Sequence, residues 1–326
     1  MNSSLSQNIT FVRPEYFLIS GLSEIPNSKY FFIIFIFIYI IAVCGNSIVL
    51  FMIFTEKTLH SPKNLGIFNL ALADLGQTNS LIPNMLKTLL FDSPYISYDA
   101  CLANMYCTFF FVGGQTLTLT ALAYDRFVAI CLPLRYHAIV TQSFMTAVIT
   151  TIWSILLVFV STMVGFITRL SFCKSNEIKS FFCDHGPVYR LACNDISLNL
   201  TMSHIGTALL MYVPFITVIL SYLGILLAMI KIKTWKARLK ALKTCASHLI
   251  TVGIAFFPTF GVYTAALTSS IHPTARIINT SISMNISPMC NPIIYVLSTK
   301  EFRCVIMKMV RKKNANMNLK PKIFTI

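Results

Sequence analysis

The stretch 30–54 runs through phenylalanine, isoleucine, valine, leucine and small residues without one charged side chain. A bilayer with a hydrocarbon core about 30 Å thick is crossed by about 20 apolar residues in a helix, so this segment reads as a transmembrane span. It is too long for the apolar part of a secretory signal. The polar-to-mixed residues ahead of it offer no small-residue cleavage site. Whatever else the chain does, it folds in lipid.

Six further apolar windows follow, at 65–90, 103–124, 144–167, 202–230, 245–267 and 277–297. Only 11% of the 326 residues are charged, where a soluble domain carries roughly a quarter. The connections are short except for 169–200, which leaves no soluble segment large enough to bury a core of its own. No internal repeat or low-complexity tract appears. The predicted fold is all-α, a seven-transmembrane-helix bundle over 30–298. It is preceded by an extracellular segment 1–29 and followed by a cytoplasmic tail 299–326 that opens with a short amphipathic helix.

Orientation follows from the basic residues. Of the 26 Lys and Arg residues, 18 lie in the segments after the first, third and fifth spans and in the C-terminal tail. The positive-inside rule places those segments in the cytoplasm and the N-terminus outside. The net charge of +15 is concentrated in 231–243 and 300–322, where it faces anionic inner-leaflet lipid or an acidic partner rather than nucleic acid. Asn2-Ser3-Ser4, Asn8-Ile9-Thr10 and Asn199-Leu200-Thr201 fit N-glycosylation acceptors on segments that this topology puts outside. Asn279 and Asn285 also head such triplets, but within the seventh span.

Cys101, Cys173, Cys183 and Cys193 fall on the outer side, in an oxidising compartment, where four cysteines allow three pairings. The other six lie in spans or on the inner side. No Cys-x-x-Cys or close His pair suggests a metal site.

Ionisable groups in hydrocarbon are costly, and each is a functional candidate. Asp74 sits mid-span in the second helix, Asp125-Arg126 at the inner end of the third, and Asn46 and Asn291 at comparable depth in the first and seventh. One internal polar network joining them is expected. The plainer readings are a structural hydrogen-bonding residue for Asp74 and an interfacial ion pair for Asp125-Arg126. Pro214, Pro258 and Pro292 interrupt the fifth, sixth and seventh spans and predict kinks there. No paired carboxylates or nucleophile motif suggests an enzyme, and no cofactor is implied.

Taken in order, Gly45-Asn46, Leu70-Ala71-Leu72-Ala73-Asp74, Asp125-Arg126-Phe127 and Asn291-Pro292-Ile293-Ile294-Tyr295, with Cys101 and the loop cysteines, resemble the rhodopsin-like G-protein-coupled receptors. Within them the chain is most similar to odorant receptors. That closer likeness is carried by Leu59-His60-Ser61-Pro62, by the run Ala123-Tyr124-Asp125-Arg126-Phe127-Val128-Ala129-Ile130-Cys131-Leu132-Pro133-Leu134-Arg135-Tyr136, and by Ser221-Tyr222. Lys240-Ala241, Thr244-Cys245-Ala246-Ser247-His248-Leu249 and Pro288-Met289-Cys290-Asn291-Pro292 extend it. The likeness covers about 8–311. Departures stand at Lys63-Asn64, where the family commonly has Met-Tyr, at Gln115 in place of an acid, and at Phe127 in place of Tyr. They suggest a divergent branch, nearer the fish-like class.

The resemblance implies bridges Cys101–Cys183 and Cys173–Cys193. It implies a small-molecule odorant held between the outer halves of the third, fifth, sixth and seventh helices, and a heterotrimeric G protein engaged at the inner face. Thr108, Phe109, Val112, Gly113, Gly206, Leu210, Thr259, Tyr263 and Ser281 are the pocket candidates. Asp125, Arg126, Tyr222, Asn291, Pro292, Tyr295 and Asp74 are the switch candidates. No acid stands at Thr108, which disfavours a protonated-amine ligand. A receptor of the same fold for another ligand, or a small-solute transporter, are the alternatives.

Overall fold

The structure is a computed structural model, and it describes residues 12–21, 29–91, 93–267 and 272–318. In chain order the elements are β1 (Tyr16–Ile19), α1 (Lys29–Thr55), α2 (Pro62–Phe91), β2 (Tyr95–Ser97), α3 (Tyr98–Cys131), α4 (Tyr136–Ile139) and α5 (Gln142–Ile167). Then come β3 (Glu177–Ile178), α6 (His185–Tyr189), α7 (Ser197–Thr207), α8 (Val213–Lys231), α9 (Trp235–Leu267), α10 (Pro273–Ser298) and α11 (Lys300–Asn318). A π-helical segment, Ala208–Tyr212, joins α7 to α8 into one continuous rod. Pro214 follows directly, at the start of α8. Pro258 and Pro292 lie inside α9 and α10, as expected from the sequence, and Pro83 and Pro288 are further interior prolines.

Five stretches are long and apolar enough to cross a membrane: Tyr30–Thr55, Tyr98–Cys131, Gln142–Ile167, Ser197–Lys231 and Trp235–Gly261. Their unburied faces carry large apolar side chains, among them Phe37 and Phe54 on α1, Val158 on α5 and Leu227 on α8. Such a surface is stable against lipid and not against water. The chain is thus a helical, multi-pass membrane protein. α2 and α10 have 30 and 26 residues and pack among these five. They are less apolar because they carry Asn69, Asp74, Gln77, Asn285, Ser287 and Asn291, all of which face inward and are buried.

α3 is the central element, packed against α2, α5, α8 and α9. Its approach to α5 depends on Gly114. A Cβ there would lie 2.5 Å from Cη2 of Trp153. The Trp153 indole donates to Asn69 Oδ1 at 2.7 Å, and Asn69 Nδ2 donates to Thr118 Oγ1 at 2.7 Å. One hydrogen-bonded chain therefore ties α5 to α2 and α2 back to α3.

At the end of the bundle remote from Arg126, β1 lies between β2 and β3, antiparallel to the first and parallel to the second. Phe17 of β1 is fully buried against the rings of Tyr98 and Phe172. Bridges Cys101–Cys183 and Cys173–Cys193 fasten the long loop to α3 and to itself. They are the pairings that the resemblance implied. Below Cys183, α6 holds His185, whose ring is buried with Nε2 unpartnered. Burial pushes the His185 imidazole down to about 4. Burial pushes the Asp184 carboxyl up to about 6, opposed chiefly by the charge of Arg276.

These two shifts act on stability in opposite senses. Asp184 binds its proton more tightly in the folded state, so its contribution is present at low pH and is lost as pH rises through about 6. His185 sheds its proton more readily when folded, so its contribution is present above about 6.5 and is lost as pH falls through about 4. The thermal midpoint of His185→Gln receptor in nanodiscs should fall as pH is raised from 4.5 to 6, whereas that of Asp184→Asn should rise; midpoints moving in one direction for both variants would contradict the assignment. Gly114→Leu should destabilise the bundle by roughly 1–3 kcal/mol by overpacking Trp153, read as a lowered midpoint in the same assay.

Candidate functional site

The candidate residues fall into two sets. The first surrounds Arg126. Asp125 is 1% exposed, with Oδ2 3.4 Å from Arg126 Nη2. The Tyr136 hydroxyl donates to the other oxygen, Oδ1, at 2.8 Å. Asp125 is therefore held by its neighbour in sequence and by a residue beyond the turn that ends α3. Tyr136 closes the odorant-receptor run quoted above, and its part in the site follows from α4 folding back under α3.

Tyr222 meets His248 at 2.9 Å from the hydroxyl to Nδ1, and His248 Nε2 lies 3.1 Å from the Leu119 carbonyl. A carbonyl only accepts, so Nε2 carries a hydrogen. The Tyr222 hydroxyl also reaches the Cys245 carbonyl at 3.4 Å. This histidine joins α8, α9 and α3 through one ring. His248 stands within the motif Thr244-Cys245-Ala246-Ser247-His248-Leu249. The rule that singled out Asp74, an ionisable group within an apolar span, applies equally to it. Tyr295 is buried in the same apolar cluster as Leu119 and Leu122, with Tyr222 packed against it.

Arg126, His248 and Tyr295 all line one cavity of about 800 Å³ bounded by α2, α3, α9, α10 and α11. Deeper in the bundle, Asp74 is fully buried and accepts from Gln115 Nε2 at 2.6 Å and Asn291 Nδ2 at 2.8 Å. The single polar network expected is divided into three sets: Asp74 with Asn291, Asn46 with backbone carbonyls, and Asp125 with Arg126. Asn46 does not reach Asp74; its Nδ2 donates to the carbonyls of Ala42 and Pro288, each at 2.9 Å. Beside it, the absent side chain of Gly45 admits the Pro292 ring, since a Cβ would lie 2.8 Å from Pro292 Cγ. Gln115, noted as a departure, supplies an amide hydrogen to the carboxylate where an acid would add a second charge.

The second set is the proposed pocket. Thr108 is fully buried and turns to α2, donating to Ser80 Oγ at 3.3 Å. Gly113 faces Leu156 of α5. The four positions chosen on α3 therefore divide between neighbours. Phe109 lies near Phe182 of the loop, with ring centroids 6.1 Å apart, and like Val112 it is partly buried. Gly206 adjoins Phe159, Leu210 lies in the π segment, and Thr259 follows Pro258; all three are partly buried. Ser281 is fully buried, its hydroxyl donating to the Ile278 carbonyl of its own helix. The Tyr263 side chain lies outside the described residues. Asn104, which the sequence reading passed over, connects this end. Its Nδ2 donates to the Ser80 carbonyl at 2.6 Å, and its Oδ1 accepts from the Cys183 amide at 3.1 Å.

Of the glycosylation candidates, Asn2 and Asn8 lie outside the described residues. Asn199 is 2% exposed in the first turns of α7. A glycan has no room there in the folded protein, which corrects the expectation drawn from the Asn199-Leu200-Thr201 triplet.

A family model described as olfactory receptor matches residues 35–313. Olfactory receptor 1M1 of Homo sapiens is 34% identical over 301 residues, covering 91% of this chain and 95% of that protein. Olfactory receptor 10A6 of Homo sapiens is 31% identical over 298 residues, with coverage of 91% and 95%. Olfactory receptor 1500 of Rattus norvegicus is 30% identical over 304 residues, with coverage of 92% and 96%. These matches extend over nearly the full length of each chain, and the chain belongs to the olfactory receptor family.

Proposed function

We propose that the chain is an odorant receptor that crosses the membrane seven times, with its N-terminus outside, and couples to a stimulatory heterotrimeric G protein that raises cyclic AMP. The excess of Lys and Arg on the side of Arg126 supports this orientation. α2 and α10 are the two added spans; Asp74, Gln77, Asn285, Ser287 and Asn291 are buried in the bundle interior, away from lipid.

The observation that carries the coupling reading is the cavity at Arg126. At about 800 Å³ it is large enough to take the end of a helix, whose diameter with side chains is about 10–12 Å. Arg126 is held from one side by Asp125 and stands 13% exposed in the wall. A partner that draws Arg126 from Asp125 enters the cavity that His248, the link between α3 and α9, also lines. The equilibrium shifts only as far as the odorant prefers the opened arrangement.

The odorant lies under the loop that Cys101–Cys183 fastens to α3. Phe109, Val112, Leu210 and Thr259 are the partly buried candidates for direct contact, with Tyr263 on the same helix as Thr259. Thr108, Gly113, Gly206 and Ser281 form the frame that sets the width of the space. Asn104 ties the loop to α2 and α3, so odorant contact with the loop is transmitted to both helices.

In cells supplied with an olfactory-type stimulatory G protein, a chemically broad odorant panel should produce a concentration-dependent rise in cyclic AMP that Arg126→Ala abolishes at equal surface abundance. A full response in Arg126→Ala would overturn the coupling role given to this residue.

A further inference from the structure

The cavity at Arg126 carries more positive charge than coupling through one arginine requires. Lys63, Arg126, Lys236, Lys243, Lys300 and Arg303 line it, from α2, α3, α9 and α11, against the single carboxylate of Glu301. That carboxylate is already engaged, at 3.7 Å from Lys63 Nζ, and Arg126 has Asp125. Among the described residues, the other four cations have no carboxylate within ion-pair distance. The N-terminus of α11, a 19-residue helix, also opens onto the cavity, because Thr299, Lys300 and Glu301 are in its wall, and a helix N-terminus presents positive potential.

Like charges gathered in a recess repel one another, and such an arrangement favours a compact anion that meets several of them at once. We propose that this cavity binds an inositol polyphosphate group, the chemistry shared by soluble inositol phosphates and phosphoinositide headgroups. Several phosphates on one small ring match cations that converge from four separate elements, and basic pockets between membrane helices on the cytoplasmic side bind such headgroups. The ligand excludes a G-protein helix from the same space, so the receptor at rest is held in competition with its transducer. That consequence rests on the coupling reading given above, whereas the site itself does not.

The test is binding of radiolabelled inositol hexakisphosphate to full-length receptor in phosphatidylcholine nanodiscs, with no G protein present. Saturable binding that weakens as salt is raised is expected. Lys63→Gln/Lys243→Gln/Lys300→Gln should weaken it by roughly tenfold or more, from the loss of three charges across a few ångströms of partly solvated cavity. Lys308→Gln, which alters an exposed lysine paired with Glu56 outside the cavity, should leave it unchanged. Glu301→Gln should tighten it, and this gain keeps the test decisive if the triple variant fails to fold. Nanodiscs doped with phosphatidylinositol 4,5-bisphosphate distinguish the sources: displacement of the label assigns the site to the lipid headgroup, and undiminished binding assigns it to the soluble phosphate. Absence of saturable binding, or equal affinity in wild-type receptor and a folded triple variant, would overturn the proposal. Because the readout is binding alone, a failed cyclic AMP response bears on coupling and leaves this result intact.

Discussion

In hydrocarbon, a polar group without a partner inside the protein has none at all. This constraint organises the bundle. The first span is almost wholly apolar, with Asn46 its buried polar exception. α2, α3 and α10 carry the groups that cannot face lipid, and those groups draw the three helices together. Asp74 is the extreme case: a carboxylate at zero exposure, with one amide donor from α3 and one from α10. Trp153, Asn69 and Thr118 form a second chain that brings in α5. The apolar side chains, by contrast, are divided between the core and the surface, because lipid accepts them as readily as the protein does.

The two ends of the bundle use the same polar economy for different tasks. At the loop end, the disulfides and the Asn104 bonds fix a lid whose backbone reaches down beside α3. Partly buried Asp184 and buried His185 shift in opposite senses there. At the Arg126 end the groups are held less completely. The Arg126–Asp125 contact is long, and Tyr222 is tied to α9 through the His248 ring and, at 3.4 Å, the Cys245 carbonyl. Contacts of this kind are suited to exchange when a partner enters.

Much of this was legible in the chain. Charge-free or nearly charge-free windows located the helices, because hydrocarbon thickness fixes the length of a span. Asp74, Asp125 and Arg126 were identifiable because ionised groups are so costly there. The bridges followed from resemblance, since four cysteines on one side leave the pairing open to arithmetic. Helix rotation was not legible. Thr108 and Gly113 were placed on one face by spacing, yet one turns to Ser80 and the other packs on Leu156. Spacing along one helix gives relative angles and not the direction in which the set points. Asn199 was misread for a similar reason, since a sequon says nothing of the burial that α7 imposes. His248 and Tyr136 gained their roles only when α9 and α4 were brought against α3.

The claim on which the rest turns is that Gln115 and Asn291 hold α3 and α10 to α2 through the Asp74 carboxylate. A double-mutant cycle on thermal unfolding of the receptor in nanodiscs tests it, with Gln115→Leu, Asp74→Asn and the pair. Each single change should lower the midpoint, Gln115→Leu by an amount corresponding to roughly 1–3 kcal/mol for a buried acceptor losing its donor. The pair should lose less than the sum, with a coupling of at least about 0.5 kcal/mol. Strictly additive losses, or a Gln115→Leu receptor as stable as wild type, would contradict the account.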